Sequence, residues 1–135
     1  MYLTRESDYA VRIVLLLAQR REKIDAKTIS EQTGVTFRFA LKILRKLVDS
    51  GLIRSYQGAK GGYRFEKAPA EVTLYDILHT IEGDLAVSRC LLGGEHTCTL
   101  SADGQPGPCK LQKAFSHITE VLHRELTAVT VDDLI

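Results

Sequence analysis

Three cysteines are the residues best equipped for chemistry, and they are grouped. Cys90, Cys98 and Cys109 are the only cysteines in the chain and fall within 20 residues of one another. An odd number of clustered thiols points away from a disulfide framework and toward metal or thiol chemistry. Seven residues separate the first two and ten the last two, which is not the close pairing of structural zinc sites and makes zinc the second choice. Gly93, Gly94, Gly104, Pro106, Gly107 and Pro108 fill the same stretch, a composition that opposes helix and strand. Three thiolates on such a loop suit an iron–sulfur cluster, because its irons take soft sulfur ligands and tolerate irregular backbone. Thiol oxidation without a metal is the competing chemistry, and simple burial of three small side chains the bland one. A fourth ligand stays open. His96 lies between two of the cysteines, Glu95 and Gln112 are close in sequence, and Asp8 can reach in from the first helix of a partner subunit.

The cysteine loop runs directly into a helical pattern over 111–127. Leu111, Ala114, Phe115, Ile118, Val121, Leu122 and Leu126 form a wide apolar stripe. We read it as a dimerisation helix that packs on its own copy and on the first helix. The alternative is that it caps the core of its own chain. Loss of a cluster would alter the start of this helix, a physical route from thiols to dimer geometry.

The other half of the chain is organised around residues 36–65. Phe39, Ala40, Ile43, Leu44, Leu47 and Val48 recur at three- and four-residue steps, with Arg38, Lys42, Arg45 and Lys46 mainly on the exposed side. Gly51 ends this helix where a left-handed residue is wanted. Two short alternating runs follow, 52–56 and 63–66, joined by a glycine-rich connection containing Gln57 and Lys60. Upstream, a core helix is expected over 3–20 with Thr4 as its cap, and a short helix over 26–32 that turns sharply at Gly34. Helix, glycine turn, basic helix and hairpin make a winged helix-turn-helix, whose basic helix enters the DNA major groove while the wing touches backbone or minor groove. Thr28 and Ser30 are expected near phosphates, and Thr36, Arg38 and Lys42 nearest the groove. Arg38 suits a bidentate guanine contact, with a phosphate contact equally possible. Phe37 and Phe39 are expected to be core or helix-packing residues.

Charge divides the chain in the same way. Residues 1–67 hold 14 Lys and Arg against 7 Asp and Glu, a balance of +7; residues 68–135 hold 4 against 10, a balance of −6. A basic first half suits a polyanion and an acidic second half does not. The expected division is therefore a DNA-binding domain over 1–68, with its first helix also in the dimer interface, and a second region over 69–135 holding the sensor loop (90–109) and the dimerisation helix (111–127). Residues 69–72 read as the linker, and Thr73 as the cap of a helix over 74–82. The fold class is mainly α with a small β-wing. No apolar run approaches the roughly 20 residues of a membrane span, and the first residues open a charged helix rather than a signal peptide, so the expected location is the cytoplasm. No nucleotide-binding glycine loop followed by a helix, nucleophile elbow or metal-hydrolase helix motif is present, and an enzyme is not expected.

Taken together, 3–4 through 8–10, the run 39–44, residues 51–53 with 55–63, residues 72–77 and the three late cysteines resemble the Rrf-two family of bacterial winged-helix transcription regulators (IscR-, NsrR- and RirA-like proteins). The resemblance covers essentially the whole chain. It implies a homodimer that binds a palindromic promoter site on double-stranded DNA, with a [2Fe–2S] or [4Fe–4S] cluster on Cys90, Cys98 and Cys109. Three features differ from the family pattern. Ten residues rather than the frequent five lie between the last two cysteines. Gln112 stands where IscR-like members have a histidine ligand, whereas Asp8 matches the aspartate that NsrR-like members contribute from the other subunit, so Asp8 is the preferred fourth ligand and His96 the next. Gln57 stands where the wing often has a minor-groove arginine, which shifts that electrostatic role toward Lys60. The function expected is a regulator, in the repressor sense, that responds to redox state, iron–sulfur supply, iron or nitric oxide. The alternatives are the same fold sensing zinc or thiol oxidation, or a cofactor-free regulator controlled by a partner protein.

Overall fold

A computed structural model of the chain describes residues 2–92 and 109–135. Cys98, His96 and Glu95 lie outside the described residues. Five α-helices and a two-stranded antiparallel sheet carry the described fold: α1 (Arg5–Arg20), α2 (Ala26–Thr33), α3 (Phe37–Asp49), β1 (Arg54–Tyr56), β2 (Gly62–Arg64), α4 (Leu74–Glu82) and α5 (Lys110–Ala128). Short 3-10 turns occupy Pro69–Glu71, Arg89–Leu91 and Asp132–Leu134.

Local chemistry explains several of the boundaries. Thr4 caps α1, its hydroxyl oxygen accepting from the Ser7 amide at 3.1 Å. Asp25 caps α2 by accepting from the Thr28 amide at 2.9 Å. Gly34 ends α2 at φ +71, a left-handed turn that costs an L side chain strain and glycine none. Thr36 occupies the N-cap position of α3 but makes no side-chain capping bond. Thr73 and Asp76 form a reciprocal capping box at the start of α4.

One core joins these elements. Ala10, Ile13, Val14 and Leu17 of α1 pack with Ile29 of α2, Ala40, Ile43, Leu44 and Leu47 of α3, and Ile77 and Ile81 of α4. The expected linker is corrected here. Pro69 and Val72 are buried, Val72 within this same core, while Ala70 and Glu71 between them are exposed, so the segment is anchored to the packed interior at both ends. Val131 is fully buried in it as well, held where its amide donates to Val72 O at 2.8 Å and the Leu74 amide to Val129 O at 2.9 Å. The C-terminal segment thus returns to the start of α4.

The wing is shorter than expected. Leu52, Ile53 and Phe65 are core residues, and only Arg54–Tyr56 and Gly62–Arg64 pair, with Arg54 opposite Arg64 and Ser55 opposite Tyr63. Its base is tied to the α1–α2 connection by two bonds of 2.9 Å between the backbones of Ile24 and Tyr63. This contact requires glycine at 62. A Cβ there would lie 2.7 Å from Ile24 O, and the residue sits at φ +151.

Candidate functional site

The exposed face of α3 is basic. Arg38 and Arg45 are exposed, and among the described residues neither forms an ion pair. Lys42 is exposed too, but its Nζ lies 3.3 Å from Glu6 Oε2 and over the Phe39 ring. Lys46 reaches the other oxygen of Glu6 at 2.6 Å. Glu6 therefore clamps the first turn of α1 onto α3. Burial alone would push its carboxyl up, but hydrogen bonds and charge from Lys46 and Lys42 outweigh burial and hold it below the ordinary glutamate value. Phe39 fulfils the expected packing role, edge-on to Tyr9 of α1 with 5.6 Å between ring centroids. Phe37 does not. It is 50% exposed, because the first residue of α3 projects from the edge away from α1.

Thr28 and Ser30 are placed on α2 with their hydroxyls already engaged. The Thr28 hydroxyl donates to Asp25 Oδ2 at 2.8 Å and that of Ser30 to Val35 O at 2.5 Å. The Thr28 amide and hydroxyl hold the Asp25 carboxyl below its ordinary value. The hydroxyl of Thr36 makes no capping bond, and the residue is exposed at the N-terminus of α3.

The wing adds cations that pattern reading passed over. Gln57 and Lys60 are exposed at its tip, as the hairpin reading requires. Arg54 and Arg64 stand directly opposite each other on the two strands, and Lys23 lies 5.1 Å from the centre of the Tyr56 ring. Facing like charges cost stability unless an anion compensates. Glu66 does so for Arg54 at 3.6 Å, while Arg64 forms no ion pair among the described residues. The register of a three-residue pairing was the missing signal; once Tyr63 is placed opposite Ser55, the arginine pair follows.

The thiol region is described on two sides. Cys90 sits in the 3-10 turn Arg89–Leu91, half-buried, with its sulfur 3.2 Å from Ser88 Oγ. Cys109 is the N-cap residue of α5, half-buried and unbridged. The 3-10 turn packs against α5, and Leu91 and Cys109 line one cavity of about 810 Å³ with Gln112, Lys113, Ser116 and His117. Cys109 lines that cavity and Cys90 stands next to Leu91, which lines it too; both thiols are free of disulfide and suit a group that takes soft sulfur donors. Among the described residues, no three His, Cys, Asp or Glu side chains converge closely enough to hold a metal ion. Asp8 lies in the first turn of α1, half-exposed and paired with Arg12 at 2.8 Å. His79 and His123 pack around Tyr75, and His123 Nε2 meets Leu85 O at 2.5 Å, which makes them structural contacts between α4, α5 and the segment between them.

α5 leaves much of its stripe uncovered. Its main partner in the chain is α4, and its Thr119 hydroxyl accepts from the amide of Val87, in the segment after α4, at 3.2 Å. Thr119 is its one buried residue, while Leu111 is 52% and Ile118 49% exposed. None of the described helices is long and apolar enough to cross a membrane.

Comparison with known proteins adds the following. Residues 3–135 match the Rrf2 family, described as iron-dependent transcriptional regulators. Protein aau3 of Rhizobium meliloti (strain 1021) is 34% identical over 136 residues, covering all of this chain and 85% of that protein. The HTH-type transcriptional regulator NsrR of Geobacillus kaustophilus (strain HTA426) is 29% identical over 137 residues, covering all of this chain and 90% of that one. Among solved structures, IscR of T. potens superimposes with a TM-score of 0.78 at 20% identity, covering 99% of this chain and 85% of that one. CymR of B. subtilis, a global cysteine regulator, gives 0.77 at 21%, covering 99% and 95%. These two likenesses bear on the fold alone, a winged helix.

Proposed function

The chain belongs to the Rrf2 family of transcriptional regulators, and from that premise we propose that it is a homodimeric repressor that senses redox, iron–sulfur, iron or nitric oxide status. It binds a palindromic promoter site on double-stranded DNA in the cytoplasm, each subunit placing α3 in a major groove and its wing on the flanking backbone. One observation carries the DNA reading. Arg38 and Arg45 on α3 and Arg64 on the wing lack counter-ions among the described residues, although the chain as a whole is nearly neutral. Such cations are supplied by the fold and balanced by phosphate. Thr36 donates its hydroxyl to a phosphate or base edge, Gln57 and Lys60 follow the wing along the DNA, and Thr28 and Ser30 approach the backbone from α2.

Cys90, Cys98 and Cys109 hold the iron–sulfur cluster, with Asp8 of the partner subunit as fourth ligand and His96 as the alternative. Such a cluster supplies a unit whose integrity depends on oxidants, iron supply and nitric oxide. The chain's own contribution is placement. Cys109 caps α5, so its state bears on the first turn of the helix whose exposed stripe joins two copies. Asp8 must exchange Arg12 for iron to serve as ligand. Dimer geometry then sets the spacing of the two α3 helices.

The test is the visible absorption spectrum of protein purified without oxygen, with iron and sulfide assayed on the same sample. A brown protein with visible charge-transfer bands that Cys98→Ala abolishes, while the dimer stays folded, supports the sensor. A protein that stays colourless after reconstitution with iron and sulfide removes the cluster and leaves zinc, thiol oxidation or a partner protein as the signal.

A further inference from the structure

Two large apolar side chains stand in the open on the helix that carries the basic face. Phe37 is 50% and Leu41 38% exposed. Four residues apart, they lie side by side on α3. At about 100° per residue, the side chains of Ala40, Ile43, Leu44 and Leu47 define the buried face of α3, and Arg38, Lys42 and Arg45 lie opposite it. One edge between these faces is occupied: Phe39 packs on Tyr9, and Lys42 and Lys46 are clamped by Glu6. Phe37 and Leu41 lie on the other edge, in line with Val48, which borders a depression shared with Arg54 and Ser55 at the foot of the wing. The Val48 end of that edge therefore meets the foot of the wing. The edge is flanked along α3 by the exposed Arg38 and Arg45, and Arg54 lines the depression at its Val48 end.

An apolar strip bordered by exposed arginines suits a partner that is anionic at its margins and apolar at one point within. The DNA major groove has that character where it presents a thymine, whose C5 methyl is the apolar feature of a base edge and lies between two phosphate backbones. We propose that Phe37 and Leu41 are specificity residues that contact thymine methyl groups in each half-site. The inference rests on the DNA-binding reading above and adds to it the base that the apolar edge selects. It also accounts for the outward position of Phe37, which no contact among the described residues explains.

The experiment uses the full-length chain. Its preferred duplex is selected from a random library, and each thymine of that duplex is then replaced singly by deoxyuridine, which removes only the C5 methyl. At one or two thymines per half-site the uracil duplex is expected to bind about fourfold more weakly, the equivalent of about 0.8 kcal/mol per buried methyl group. In Phe37→Ala or Leu41→Ala that difference disappears at the matching position, while Leu41→Met, which keeps the apolar contact, retains it. Both side chains are substantially exposed, so the variants are expected to keep the wild-type circular dichroism and Tm. A selected site without thymine in the α3 half-sites overturns the proposal, as does a uracil penalty that is absent or is the same in wild type and variants. Loss of self-association in either alanine variant, with the uracil response unchanged, assigns the edge to a second copy and also overturns it. Failure of the selection to enrich any sequence strikes at the DNA-binding premise itself, so the two failures are separable.

Discussion

α3 and α5 are both amphipathic helices, yet they end in opposite situations. α3 buries Ala40, Ile43, Leu44 and Leu47 completely, and α1, α2 and α4 all pack against it. α5 is six residues longer, 19 against 13, and buries only Thr119. α3 is the more strongly amphipathic of the two, and the supply of neighbours differs as well. By the time the chain reaches α5, Ile77 and Ile81 of α4 already face the core of α1 and α3, so α5 can cover only the remaining side of α4. An apolar stripe in sequence says that a face must be covered, while the covering group can belong to this chain or to another.

The contrast can be broken most directly at Ile118. Under the homodimer reading, Ile118→Glu buries a charge twice across a two-fold interface and is expected to leave a folded monomer at micromolar concentration, measured by sedimentation. A dimer unchanged by it places the interface elsewhere. The matching change in α3, Ile43→Ala, is expected to cost about 2–5 kcal/mol of unfolding free energy in a denaturant titration, with no effect on subunit mass beyond that of instability. Arg38→Ala leaves stability nearly unchanged and weakens specific DNA binding by about 1–3 kcal/mol if the guanidinium reads a base. An equal loss on random duplex assigns it to phosphate.

The smallest effect is expected at Glu6. Its carboxyl is held below the ordinary value, so the charged form stabilises the fold, and that contribution is fully present at neutral pH. It falls away as pH drops below the ordinary glutamate value and through the lowered one. Glu6→Gln is therefore expected to cost below about 1 kcal/mol at pH 7, a pair-sized effect. The gap between variant and wild type should close as pH falls below 4–5, where an ordinary glutamate protonates at about 4.3. A gap independent of pH would show that packing, not charge, holds α1 on α3.

Much of the helical framework was legible from pattern alone. The caps at Thr4 and Thr73, the turn at Gly34 and the inward faces of α1 and α3 follow from rules that act within four or five residues, where sequence neighbours are also spatial neighbours. The misreadings all involve longer distances. Residues 69–72 look like a linker by composition, but Val72 pairs with the segment around Val131 some sixty positions later. Phe37 looks like core by residue type, but the free edge of α3 decides otherwise.

Sequence by itself determined the family, the winged-helix order of elements, the split of charge between the two halves and the presence of three grouped thiols. These are properties of residue type and spacing, and they do not depend on how distant parts meet. Tertiary structure alone decided that Glu6 ties Lys42 and Lys46 to α1, that Arg54 faces Arg64, that Val131 completes the core and that Phe37 and Leu41 stand exposed on α3. Each depends on which surfaces remain after packing has used the others, and that is settled only when the whole chain has closed on its core.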